Sequence, residues 1–214
     1  MEIFKSILEF FYSFTHSWGW SIIIFTVLIK LVLFPTTINQ FKTMNKMKEV
    51  QPKLKEIQEK YKDRPEEYQR RMMEIYQKEK INPLGGCLPL LIQLPILIIF
   101  YKLLSNPTFV KEYLQDATFL GIVLHENHNL LLAVISGATT FLQQVLTMPA
   151  TGNDPQQKTF LYIMPVMLAY FTYQINAGIG IYWITSNIIG IIQQYIINEY
   201  FIIKKNIQEK SSES

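Results

Sequence analysis

One lysine stands out in this sequence. "FTVLIKLVLF", residues 25–34, is apolar at nearly every position, and Lys30 sits in its middle. A helix entering a bilayer near Trp18 climbs 1.5 Å per residue, which puts Lys30 about 18 Å in, near the midplane of a roughly 30 Å core. A lysine at that depth costs about 2.5–3.5 kcal/mol on insertion scales. Its stem can snorkel toward the headgroups, but it is too short to reach them fully. The alternative is a wet cavity built with other polar groups, and the sequence supplies candidates. Thr26 and Thr37 share the Lys30 face, four residues before it and seven after. Ser136, Thr140, Gln143 and Gln144 fall at i, i+4, i+7 and i+8 of a later apolar run. Ser186, Asn187, Gln193 and Gln194 follow Tyr182 and Trp183 in the last run, and Gln93 interrupts another. Taken singly, each stripe reads as interhelical hydrogen bonding. Taken together with a cation, they predict a hydrophilic site. No acidic residue occurs in these runs before Glu199, so the counter-ion of Lys30 is expected from outside the chain.

The elements that position these groups are membrane helices. The chain has 214 residues, a length suited to one domain. Hydrophobic residues make up 49 % and charged residues only 17 %, below the roughly 25 % of soluble domains. The apolar residues cluster into five predicted spans: Trp18–Asn39, Cys87–Leu104, Asn129–Met148, Lys158–Gln174 and Gly178–Phe201. Pro165 predicts a kink in the fourth. Residues 2–15 predict an amphipathic helix lying in the interface, with Ile3, Phe4, Ile7, Leu8 and Phe11 on one face. The expected organisation is an interfacial helix over 1–16, a first transmembrane helix over 17–48, a helical hairpin over 49–82, four further spans over 83–201, and a tail over 202–214.

Charge sets the expected orientation. Of 20 Lys and Arg residues, 12 lie between Lys42 and Lys80 with eight acids among them, leaving that stretch at +4. The positive-inside rule makes this loop cytoplasmic, the N-terminus external and the C-terminus cytoplasmic. Trp18 and Trp20 suit the outer interfacial belt. The acids are too evenly interleaved for a nucleic-acid arm. Instead, Leu54, Ile57 and Tyr61 on one predicted helix, and Tyr68, Met72 and Ile75 on the next, make two thin seams for an antiparallel hairpin. Pro52 and Pro65 suit first helical positions. A merely connecting loop needs no such seam, so the hairpin reads as a contact arm.

Several chemistries find no support. The single cysteine, Cys87, allows neither an internal disulfide nor a zinc cluster. There is no nucleotide loop, metalloprotease motif or nucleophile elbow, and no signal-peptide cleavage pattern. His125 and His128 lack companions for a metal site. The chain is therefore expected to be neither an enzyme nor the holder of a metal or cofactor. A small-anion transporter or channel using Lys30 remains an alternative, although no inverted repeat supports it. A scaffold that recruits soluble partners through the hairpin is a third class.

Three segments bring in a family. "NPLGGCLPLLIQLPILIIFYKLL" (82–104) resembles the most recognisable segment of the YidC family of membrane insertases, relatives of the Oxa and Alb proteins of mitochondria and chloroplasts. "GWSIIIFTVLIKLVLFPTTINQFKTMNKMKEVQPKLKEIQEKY" is similar to that family's first core span and hairpin, and "GIGIYWITSNIIGIIQQ" to its last span. The resemblance implies an all-α membrane protein, in the short form without a large extracytoplasmic domain. In it, five transmembrane helices surround a hydrophilic groove open to the cytoplasm and to lipid but closed outside. It implies a bacterial plasma-membrane insertase and chaperone, without enzymatic activity or a small-molecule substrate. Its partners would be nascent membrane proteins and the lipid bilayer, with the Sec translocon, the ribosome and signal recognition particle components beside them. Lys30 takes the position of the groove cation, and Gln143 (or Gln144) and Trp183 take groove positions. With the residues read from the polar stripes, the expected substrate groove is Lys30, Thr26, Gln93, Thr140, Gln143, Gln144, Trp183, Ser186 and Asn187. Bacterial members more often carry Arg than Lys in the groove, and members with strong ribosome binding have longer basic tails than Lys204, Lys205 and Lys210 provide.

Overall fold

The computed structural model describes residues 2–81, 88–147 and 155–212. The expected "NPLGG" entry to the second span, Cys87, and most of the loop after Thr147 lie outside the described residues. Among the described residues nine α-helices form: α1 (Glu2–Thr15), α2 (Trp18–Val32), α3 (Phe34–Lys60), α4 (Pro65–Lys78), α5 (Leu88–Leu104), the single turn α6 (Pro107–Phe109), α7 (Leu130–Thr147), α8 (Pro155–Gln174) and α9 (Ala177–Ser212). A π-helical turn (Val110–Leu114) follows α6. The all-α expectation needs one small addition. β1 (Thr118–Phe119) and β2 (Ile122–Val123) pair antiparallel, with Leu120 and Gly121 both at positive φ in the two-residue turn.

The distribution of side chains is inverted relative to a soluble protein. Large apolar residues point outward along α7 (Leu131, Val134, Leu142), α8 (Ile163, Val166, Tyr170) and α9 (Ile192, Tyr195, Ile196). Polar ones, such as Ser136, Thr140, Thr172, Asn187, Gln193 and Gln194, are buried. Among the described residues, α7 alone is long and apolar enough to cross a membrane unbroken. Two bent pairs, α2 with α3 and Ile92–Leu104 with Pro107–Leu114, also meet that test as units.

The stretch expected as the first transmembrane helix, 17–48, is bent: α2 stops at Val32, and α3 leaves at 59° to it. Pro35 explains the break: it has no N–H to offer the Leu31 carbonyl, and its fixed φ suits the first turn of a new helix. Pro52 behaves differently from expectation. It lies inside α3 rather than opening a helix, because Val50 and Leu54 on either side of it pack against α4 and carry the helix through. Pro65 does open α4, with Glu66 and Glu67 in its first turn. The hairpin seam uses Leu54, Met72 and Ile75 as expected, together with Val50, Tyr76 and Ile81. Ile57 and Tyr61 stay outside that cluster. The contact therefore gathers at the open end of the hairpin rather than at its turn, where Lys53 also meets Glu79 at 2.7 Å. The hydrogen bond and charge of Lys53 hold the Glu79 carboxyl below its ordinary pKa.

The main core lies at the end of the bundle where α1 meets α2, α5 meets the loop 105–129, and α8 meets α9. Leu8, Ile22, Leu104, Leu114, Leu124 and Ile179 are fully buried there. On α1, Leu8 enters this core with Phe4, Ile7 and Phe11 against it, but Ile3 is 72 % exposed and does not join that face. The loop is knitted on by the backbone: Gly178 N–H donates to Leu124 O and Ala177 N–H to Glu126 O, both at 2.9 Å, and His128 N–H to Tyr173 O at 2.8 Å. Phe119 of the hairpin lies flush on Gly19, leaving no room for a Cβ, and meets Trp20 edge-on at 5.4 Å. Gly19→Ala should therefore destabilise the protein by about 1–3 kcal/mol. Phe119→Ala in the same chain should recover part of that loss. Thermal unfolding in detergent measures both, and additive losses would contradict the contact.

Candidate functional site

Away from the capped end the interior turns polar on each helix in the same order. On α2, apolar Trp18 and Ile22 give way to Thr26 and Lys30. On α7, Leu132 and Ala133 give way to Ser136 and Thr140. On α9, Ile179 gives way to Tyr182, Trp183, Ser186 and Asn187; on α5, which runs the other way, buried Leu104 and Phe100 precede Gln93. A shared boundary between apolar and polar layers follows from placing like residues at like heights.

Buried polar groups in an apolar shell must satisfy one another or meet water. The α7–α9 seam does this most fully. Trp183 Nε1 donates to Thr140 Oγ1 at 3.1 Å. The Asn187 amide lies within 2.8 Å of Thr140 Oγ1 and 3.1 Å of Thr139 Oγ1. With its oxygen turned toward Thr140, its nitrogen donates to Gln143 Oε1 at 2.8 Å, the orientation that satisfies both ends. The Gln143 amide can lie there because Gly190 has no side chain; a Cβ would collide with it. Ser136 and Thr172 share a hydrogen bond of 2.8 Å between α7 and α8. The helices approach closely beside it, for a Cβ on Gly137 would stand 3.1 Å from that of Ala169.

The other expected site residues divide. Gln93 donates to the hydroxyl of Tyr182, whose ring stacks on Phe100 at 4.2 Å. Thr26 turns back to its own helix, donating to Ile22 O at 2.6 Å. Ser186 is buried on α9. Gln144 does not join the Gln143 network; its Oε1 is buried without a partner, as is Gln194 Nε2. Lys30 is half-buried, and Gln193 Nε2 donates to its backbone oxygen at 3.0 Å, tying α9 to α2 at this level. Among the described residues no carboxylate lies within 4.0 Å of its ammonium group. Thr139, Thr172 and Gly190 were not singled out by sequence. The usable signal was a glycine three residues beyond Asn187 on the polar stripe. His125 has a structural partner, its Nδ1 lying 3.1 Å from Leu114 O. Among the described residues the arrangement is one cation among neutral donors and acceptors, which can hydrate a polar chain and attract an anion.

Comparison with known proteins gives a consistent result. A family model described as "60Kd inner membrane protein" matches residues 10–205. A protein from Fusobacterium nucleatum, named membrane protein insertase YidC, is 38 % identical over 209 residues, covering 95 % of this chain and 97 % of its own length. A relative of the same name from Endomicrobium trichonymphae is 40 % identical over 96 % of this chain, and this chain spans only 40 % of that relative. Among solved structures, an active YidC insertase crystal structure superposes with a TM-score of 0.74 at 27 % identity, over 91 % of this chain and 46 % of its own.

The seam makes a direct prediction. Asn187→Leu leaves Thr140 and Gln143 short of partners and should lower stability in detergent by about 1–2 kcal/mol. Trp183→Phe, which removes one donor, should lower it less. A thermal unfolding midpoint for Asn187→Leu equal to wild type would contradict the network.

Proposed function

The chain belongs to the 60Kd inner membrane protein family of YidC insertases, a family of transmembrane helical proteins, and from that premise we propose that it inserts hydrophobic nascent proteins into the bilayer through a positively charged hydrophilic groove. The observation that carries the reading is Lys30: a cation on a helix with an apolar outer face, beside a polar interior, with no carboxylate within reach among the described residues. Its natural complement is a carboxylate brought by a substrate.

In this reading five spans (α2, α5, α7, α8 and α9) line the groove, and the capped end faces the outside of a bacterial cell. The α3–α4 hairpin, whose stretch from Lys42 to Lys80 carries the +4 excess, faces the cytoplasm. A nascent chain with a short acidic tail enters from the hairpin side. At about 4 Å and an effective dielectric near 20, its carboxylate and Lys30 attract by about 4 kcal/mol before desolvation. That offsets part of the cost of bringing a polar tail among apolar helices. Thr140, Gln143, Trp183 and Asn187 on one wall, with Gln93, Ser186, Gln144 and Thr26 elsewhere, keep the tail hydrated. The substrate's apolar segment then leaves for lipid, and hydrophobic transfer drives release. The step needs no nucleotide. The Sec translocon, the ribosome and signal recognition particle components are partners in the same reading, with the hairpin as their contact surface.

Lys30 is also where the reading is tested. In reconstituted vesicles, Lys30→Arg should insert an acidic-tailed substrate near the wild-type level, Lys30→Ala should be impaired several-fold, and Lys30→Glu should be worst, as expected for a Coulombic contact. Equal insertion by all three would reject the charge role.

A further inference from the structure

The two residues between α8 and α9, Ile175 and Asn176, are both buried. Asn176 is 6 % exposed within the apolar layer of the capped end, where Ile22, Leu104, Leu124 and Ile179 are fully buried. Each polar atom of its side chain is engaged. Nδ2 donates to Leu104 O at 2.9 Å and lies 3.5 Å from Ser105 Oγ; Oδ1 accepts from Ile179 N–H at 3.1 Å. Leu104 ends α5, where carbonyls lack intrahelical N–H donors, and Ile179 lies in the first turn of α9, where N–H groups lack intrahelical acceptors and its own also reaches the backbone oxygen of Asn176 at 3.1 Å. One amide thus serves a helix C-terminus and caps a helix N-terminus at once. The polar interior begins on α9 a single turn further on, at Tyr182 and Trp183.

We propose that Asn176 is a positioning residue that seals the capped end, keeping a dry apolar layer between the polar interior and the solvent beyond the loop 105–129. This deepens the groove reading above and rests on it: a groove that passes protein segments has to hold back ions. With the amide present, the helix ends in this layer are satisfied without water. Without it, Leu104 O loses its side-chain donor, while Ile179 N–H keeps only the backbone oxygen of residue 176 at 3.1 Å, and a buried carbonyl left in this state recruits water. A water entering there bridges the layer.

The test uses the full chain reconstituted in liposomes loaded with a pH-sensitive dye, with a proton gradient imposed. Asn176→Ala should raise the proton leak about ten-fold, the scale of one orphaned hydrogen bond. Asn176→Asp keeps the acceptor for Ile179 N–H but loses the donor to Leu104 O, and should leak as well. Ser105→Ala, which keeps both short hydrogen bonds, should remain tight. A leak at the wild-type level in Asn176→Ala with an unchanged unfolding midpoint overturns the proposal. If the alanine variant does not fold, a tight Asn176→Asp overturns it. Insertion of an acidic-tailed substrate is measured in the same vesicles. Its absence with wild-type protein would count against the insertase reading, whereas the leak comparison between variants would stand by itself.

Discussion

An ammonium group and a set of buried amides and hydroxyls, enclosed by helices whose outer faces are apolar, cannot be left unsolvated. This constraint governs the rest of the molecule. Several neutral groups meet it pairwise, Trp183 and Asn187 with Thr140, Ser136 with Thr172, and Gln93 with Tyr182, whereas Gln144 Oε1 and Gln194 Nε2 find no protein partner. Lys30 has no such answer from a carboxylate among the described residues, and the neighbouring Gln193 is spent on its backbone oxygen. In the proposed reading the missing partner is the substrate.

The capped end and the bend at Leu33 are two consequences of supporting such an interior. Capping demands an apolar layer that closes without stray polar atoms. The bundle achieves it by burying Leu8, Ile22, Leu114 and Leu124 and by assigning helix-terminal groups to Asn176 and to backbone partners in the loop. The bend ends α2 two residues after Lys30, so the helix carrying the cation does not continue straight past it. Beyond the bend α3 is mostly polar and pairs with α4, joined to the bundle by contacts such as Phe41 with Phe201 at 5.4 Å. The hairpin is thereby linked mechanically to the helix that presents Lys30.

Much of this was legible in the sequence because its signals were periodic. Apolar runs and the stripes at Thr140–Gln143 and Ser186–Asn187 repeat at helical spacing, and the hairpin's Leu54, Met72 and Ile75 follow the same rule. The isolation of Lys30 from internal acids was readable because the apolar runs contain none before Glu199. What escaped depended on contacts distant in sequence. Pro35 and Pro52 carry the same local signal; packing of Val50 and Leu54 against α4 decides that only the first begins a new helix. Gln143 joins the seam where Gly190, on another helix, leaves space for its amide, and Gln144, its neighbour in sequence, does not. Asn176 lies in a two-residue link with no periodicity, and its role emerges only when α5 arrives beside it. Ile3 fits the apolar face of α1 by spacing, yet the core below begins one residue later, at Phe4.

The central claim is that residue 30 faces a water-filled space reached from the hairpin side only. Lys30→Cys in a Cys87→Ser background, labelled with a membrane-impermeant thiol reagent, measures this directly. The account predicts rapid labelling in inverted vesicles, where the hairpin side meets the reagent, and none in intact cells. No labelling from either side, or equal labelling from both, would contradict it.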